Sequence, residues 1–145
     1  MRRIVASVEV PASPREVWRH LADLASHPRW MVDAEQVEFV GSRTSGVGTR
    51  MRVHTRVGPF RTVDLMEVTV WDEPHIIAVR HEGVVKGDGR FQLSSTADGT
   101  RLTWTENLRF PWFLGGSLVG MVARPVLRRL WHRSLRRFAA YVAEG

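Results

Sequence analysis

Two residues of this chain, His81 and Glu106, combine ionisable chemistry with positions that point toward an apolar interior. The alternation of apolar residues places each on the apolar face of a predicted strand, beside the neighbours Ile77, Val79, Leu102 and Trp104. A carboxylate and an imidazole inside one apolar cavity could transfer protons. This pair is therefore the first candidate for chemistry.

Strand register argues against direct contact between the two residues. With turns at 83–84 and 97–98, we place Glu106 opposite about Phe91 of the intervening strand. His81 then lies ~4 residues further along, or about 13 Å away at ~3.3 Å per residue. We expect no acid–base pair.

Glu106 is instead expected to be a lone polar handle, bonded to a ligand or to Tyr141. The alternative for both Glu106 and His81 is a strand-end side chain that reaches solvent.

Other kinds of site are disfavoured by composition. The chain has no cysteine, which excludes a disulfide framework, a cysteine nucleophile and a thiolate metal site. The six histidines show no i, i+4 pair on one predicted face, so we expect no metal site. Neither a phosphate-cradling glycine loop nor a Gly-x-Ser-x-Gly motif is present, and we expect no cofactor.

The length of 145 residues predicts one domain over 1–145, and 43% hydrophobic with 25% charged residues is ordinary globular composition. No apolar run reaches the ~18 residues that a membrane span needs. The segment Met1–Val10 is too short and too early-charged for a signal peptide, so a cytoplasmic location is expected.

Positive charge is concentrated at one end of the chain. The net charge is +6, and residues 115–145 carry six arginines and one glutamate. A basic segment can meet nucleic acid, anionic lipid or an acidic partner. The alternative is a solvated helix face.

The elements that must position these residues follow from periodicity. A strand at 3–10 precedes a helix at about 14–24, where Ser13 and Glu16 form a capping box around Pro14. Residues 26–30 predict a second short helix. A two-residue period then predicts strands at about 35–41, 48–57, 60–72, 75–82, 85–95 and 100–108.

The sheet is expected to be antiparallel and curved around a helix. In strand 48–57 apolar residues alternate with basic ones, so one face is solvated. A parity switch between Leu65 and Met66 predicts a bulge in strand 60–72. Apolar residues at three- and four-residue spacing predict a long amphipathic helix over about 125–143, with arginines opposite.

This order of elements resembles the START-like helix-grip superfamily (SRPBCC), and within it the bacterial polyketide cyclase/dehydrase and lipid-transport family. The resemblance covers nearly the whole chain and rests on segments 8–18, 27–30, 68–74, 89–93 and 99–105. It implies an α+β fold with a seven-stranded antiparallel sheet around the C-terminal helix. These segments specify a fold, not a ligand or a reaction.

The resemblance also implies an apolar cavity between the sheet and the long helix. Members of the family carry or sense hydrophobic small molecules there, and a minority do chemistry. We expect the cavity to be lined by Met51, Val53, Val79, His81, Phe91, Leu93, Trp104, Glu106, Leu127 and Trp131.

Within the apolar segment 109–125, residues 110–124 are expected to border the cavity mouth as a mobile gate. Its candidate contacts are Phe110, Trp112, Phe113, Leu114 and Met121. Pro125 should kink the chain there, or separate a helical turn from the long helix. The alternative is that this segment is ordinary core over the open end.

Three functions remain open. The first is a carrier or sensor that binds a lipid or polyketide-like molecule. The second is a cyclase, aromatase or dehydratase. The third is a membrane- or protein-interaction module that uses residues 110–124 and the basic helix, with nucleic acid disfavoured because no recognition motif is present. Aromatic residues expected to be buried in any case are Trp18, Trp30, Trp104, Trp131 and Phe138.

Overall fold

A computed structural model describes residues 3–111 and 116–145, without the side chains of residues 117–120. The strands are β1 (Arg3–Val10), β2 (Ala34–Val40), β3 (Arg50–Val57), β4 (Phe60–Asp72), β5 (Ile76–Glu82), β6 (Lys86–Thr96) and β7 (Gly99–Arg109). The helices are α1 (Pro14–Leu21), a 3₁₀ helix (Leu24–Arg29) and α2 (Gly116–Glu144).

The seven strands form one antiparallel sheet in the order β1-β7-β6-β5-β4-β3-β2. Consecutive strands from β2 to β7 are neighbours, and β1 returns to pair with β7. The bulge predicted in β4 is present, although the register shifts between Val68 and Val70 rather than at Leu65. The predicted α+β helix-grip arrangement is confirmed.

Local sequence accounts for α1. Its N-cap residue Ser13 accepts a hydrogen bond from the backbone N–H of Glu16 at 3.2 Å, and Pro14 occupies the first turn. This satisfies one of the free N–H groups at the helix start. The side chains of Val17, Trp18 and Leu21 are buried.

Helix α2 is longer than predicted and runs without interruption from Gly116 through Pro125 to Glu144. The expected separate turn before Pro125 is wrong. A break would have let Met121 and Val122 turn away from the arginine side of the helix, but on the continuous helix they are 58% and 69% exposed. The helix packs against β1, β7 and α1.

The core contains two clusters of apolar side chains. The larger one joins α1 and α2 to β1, β5, β6 and β7, and the five aromatic residues predicted to be buried all lie in it. Trp30 and Phe138 have no exposed surface, and their rings are 4.8 Å apart. The smaller cluster lies under β3 and β4, beside the 3₁₀ helix, and consists of Leu24, Ala34, Met51, Val53 and Val68.

Candidate ligand site

His81 on β5 lies between two carboxylates on the inner side of the sheet. Its Nε2 is 2.9 Å from Oε2 of Glu106 on β7, and its Nδ1 is 2.9 Å from Oδ2 of Asp64 on β4. The side chains of His81 and Glu106 are 5% and 7% exposed. We call Asp64, His81 and Glu106 the polar array.

The array overturns the expectation that His81 and Glu106 lie about 13 Å apart. Neither residue is a strand end in solvent, and Glu106 is not a lone handle. In the observed register Glu106 pairs with Gly89, not with Phe91, and His81 pairs with Gly87. The expectation placed Glu106 two residues too far along β6.

Gly89 on β6 leaves space for the contact. Strand β6 lies between β5 and β7, so a side chain at Gly89 would stand in the path from Glu106 to His81. A Cβ atom built on Gly89 would collide with the carboxylate of Glu106. The missing side chain is therefore what lets an acid and a base two strands apart form a hydrogen bond.

Stacked tryptophans border the array. Trp104 Nε1 donates to Oε1 of Glu106 at 3.0 Å, and the rings of Trp104 and Trp131 stack with centroids 4.8 Å apart. Trp131 Nε1 in turn lies 3.4 Å from Oδ2 of Asp33. The segment with Asp33 is tied to α2 by a second bond, from the backbone N–H of Val32 to the hydroxyl of Ser134 at 3.0 Å.

Burial and neighbouring charges shift the pKa values of the histidine and of one acid in this site. Burial by itself would lower the pKa of His81, but the negative charge of Glu106 and the hydrogen bonds to Asp64 and Glu106 raise it to about 10. Near neutral pH His81 is therefore an imidazolium that donates through both ring nitrogens. Burial raises the pKa of Asp33, and the charges of Glu106 and Asp64 raise it further, against the bond from Trp131.

Asp64 and Asp33 were not predicted as site residues. Asp64 shares strand parity with Met66 and Val68, which are inward apolar positions, so the alternation held a clue to it. Asp33 lies just before β2, where periodicity does not apply. Oδ1 of Asp64 is buried and has no hydrogen-bond partner among the described residues.

The predicted cavity residues divide between the two core clusters. Five of them lie in or against the larger cluster, namely Phe91, Leu93, Trp104, Leu127 and Trp131. Three belong to or pack on the smaller one, namely Met51, Val53 and Val79. His81 and Glu106 complete the set as members of the array. A cavity that they line together stays a prediction.

Two surface pockets lie elsewhere, around Ala22 and Ser45. Their volumes are about 250 and 380 Å³. Both pockets are lined by Ala22 and Ser45. The other residues of the first are Arg15, Trp18, Arg19, Trp71, Glu73 and Pro74. The other residues of the second are Asp23, Leu24, Ala25, Phe39 and Thr44. None of these residues was predicted to line the cavity.

The predicted gate is only partly described. Trp112, Phe113 and Leu114 lie outside the described residues. Phe110 is half-buried, and Met121 is exposed on α2. The gate stays a prediction.

Within residues 3–111 and 116–145, no group of three or more histidine and acidic side chains is placed to hold a metal ion. In the same part of the chain, no helix is long and apolar enough to cross a membrane.

The sequence profile of the family described as "Polyketide cyclase / dehydrase and lipid transport" matches residues 1–143. The chain belongs to this family. The Mycobacterium tuberculosis proteins named Uncharacterized protein MT1597 and Uncharacterized protein Rv1546 are each 27% identical to it over 143 residues. The matches cover 96% of this chain and 97% of each relative.

The fold of this member of the polyketide cyclase/dehydrase and lipid-transport family also occurs in solved structures of other proteins. The protein TTHA0849 from Thermus thermophilus matches at a TM-score of 0.85 and 20% identity, covering 99% of this chain and 98% of that one. The Zhui aromatase/cyclase from Streptomyces sp. R1128 matches at 0.71 and 21%, covering 98% and 93%. At these identities the likeness concerns the fold alone.

Proposed function

We propose that the protein binds a hydrophobic small molecule, lipid or polyketide-like, between the sheet and α2, as a carrier or sensor. The observation that carries the proposal is the polar array, since it places ionisable side chains against an aromatic wall. Burying charged groups costs free energy even when they are paired, and well-packed apolar residues often stabilise a core as well or better. Family membership supports the same function.

The array also suggests which ligands fit. Both N–H groups of His81 donate to carboxylates, those of Asp64 and Glu106. The indole N–H groups of Trp104 and Trp131 likewise donate to carboxylates, those of Glu106 and Asp33. Within the array, the atom that has no partner among the described residues is an acceptor, Oδ1 of Asp64. The nearest comparable donor is Nε1 of Trp30, also buried without a described partner, on a ring 6.5 Å from that of Trp104. A ligand hydroxyl could donate to Oδ1 of Asp64, whereas a carboxylate would be repelled by the surrounding acids. We therefore propose an apolar ligand with a hydroxyl or phenol group.

A matched ligand series tests this function. Naphthalene, 2-naphthol and 2-naphthoate share one apolar body and differ in the polar end, and quenching of tryptophan fluorescence would report binding beside Trp104 and Trp131. We expect 2-naphthol to bind most tightly and 2-naphthoate least. Asp64→Leu should remove the advantage of 2-naphthol over naphthalene, while the distant control Asp72→Leu should retain it.

Native mass spectrometry of gently purified protein gives an independent test. A co-purified small molecule of low polarity would support the carrier function. A chain that carries no such molecule and binds none of the three naphthalenes would contradict it.

Proton-transfer catalysis is a second candidate, favoured by a histidine between two carboxylates. The raised pKa of His81 argues against it as a base, since near pH 7 the imidazolium has no free lone pair. Deuterium exchange at the α-carbons of 2-tetralone would test it. Acceleration by the native chain but not by His81→Gln would replace binding with catalysis as the function.

A further inference from the structure

The outward face of α2 changes character along its length. Near the start of the helix, Met121, Val122 and Val126 are 58%, 69% and 51% exposed. Further along, the exposed residues are arginines, namely Arg128, Arg129, Arg133, Arg136 and Arg137. At about 100° per residue, the apolar and basic residues share one half of the helix surface.

The continuity of α2 through Pro125 makes this one surface. A separate turn before the proline would have let the apolar residues point elsewhere, but the helix runs unbroken from Gly116. Met121 and Arg137 are separated by about 24 Å along the axis, at a rise of ~1.5 Å per residue. The face is therefore long enough for an extended contact.

Among the described residues, no carboxylate pairs with the positive charge on this face. Glu144, the final residue of α2, is the helix's only acidic residue. Within the described part of the chain, none of the five arginines forms an ion pair with a carboxylate. Arg137 donates a hydrogen bond to the backbone oxygen of Arg29 at 3.5 Å.

We propose that this face docks on an anionic lipid bilayer, with the apolar start of α2 entering the interface and the arginines lying on the headgroups. Lipid phosphates and carboxylates complement the arginines, and the boundary between headgroups and acyl chains accommodates Met121, Val122 and Val126. A nucleic acid would also complement the arginines. However, it offers no apolar environment for the exposed apolar side chains near the start of the helix.

Vesicle co-sedimentation of the full chain tests this surface. We expect binding to phosphatidylcholine vesicles that contain phosphatidylserine, weaker binding at high salt, and little binding to phosphatidylcholine alone. Each arginine near an anionic bilayer contributes about fivefold in affinity, so Arg129→Gln with Arg133→Gln should weaken binding about 30-fold. The control pair Arg19→Gln with Arg90→Gln removes equal charge from exposed positions elsewhere and should leave binding unchanged.

The apolar half of the surface has its own variant, Met121→Ser with Val122→Ser, which should weaken vesicle binding at both salt concentrations. Both residues are exposed, so the fold should persist, as thermal melting would verify. Absence of vesicle binding at low salt would overturn the proposal. It would also be overturned if the serine variant bound vesicles like the native chain while duplex DNA competed, since the face would then be a polyanion site.

Discussion

Nε2 of His81 lies 2.9 Å from Oε2 of Glu106, although strand β6 separates their two strands. The contact passes over Gly89, where a side chain would occupy the same space as the carboxylate. A buried ion pair of this kind is weak evidence for stability, because desolvation offsets attraction. We therefore proposed a role in ligand binding for this pair, which lies beside stacked tryptophans.

Stability should fall as pH rises from about 6.5 to about 10. The folded protein holds the His81 proton up to a pKa of about 10, whereas the unfolded chain releases it near the ordinary value of 6.5. The stabilisation is therefore complete below pH 6.5 and lost above it, at no more than about 1.4 kcal/mol per pH unit. Urea unfolding across this range would measure the slope.

The matched variants are His81→Gln and the exposed control His75→Gln. The first should be less stable at neutral pH and should lose most of the alkaline slope, whereas the control should keep both. An unchanged slope in His81→Gln would show that other groups cause it.

Acid should destabilise the fold through His27. This histidine is buried, bonded through Nε2 to the backbone oxygen of Leu21 at 2.7 Å, and burial lowers its pKa to about 4. Between pH 6.5 and 4, His27 is protonated in the unfolded chain but stays neutral in the folded protein. Stability therefore falls as pH falls. The raised pKa of Asp33 acts in the opposite direction in acid.

Acid unfolding of the native and His27→Gln chains isolates the effect of protonating the histidine, because the glutamine amide can donate to the same backbone oxygen. The variant should show a shallower loss of stability between pH 6.5 and 4. Identical acid unfolding curves would remove His27 as the cause.

Gly89→Ala should destabilise the protein by about 1–3 kcal/mol, as overpacking of a filled site does. The cause is the collision with the carboxylate of Glu106. In a Glu106→Ala background the same substitution should cost much less, since the obstructing group is gone. Equal costs in the two backgrounds, measured by chemical denaturation, would mean that the glycine has another role.

Phe138 and Phe60 provide a test of the helix-in-sheet packing. Phe138 is fully buried, so Phe138→Ala should cost about 3–5 kcal/mol in free energy of unfolding. Phe60 is 73% exposed, and Phe60→Ala should stay within about 0.5 kcal/mol. Similar costs for the two variants would contradict the placement of α2.

The strands and α1 could be predicted from the sequence because periodicity and capping are local properties. The alternation in β7 assigned Leu102, Trp104 and Glu106 to the interior, and burial confirms this. The box around Ser13 and Glu16 likewise marks the observed start of α1.

The extent of α2 was not predictable in the same way. Pro125 is a strong local signal for a break, yet the helix continues through it.

The polar array depended on tertiary structure, since it joins residues from three strands. A two-residue error in register shifts a side chain by about 7 Å along its strand, enough to separate or join His81 and Glu106. Asp33 is joined to the site by a hydrogen bond from Trp131, 98 residues later in the chain, and no local pattern encodes that contact. Periodicity determines which side of the sheet a residue faces; only the assembled sheet decides which residue it meets there.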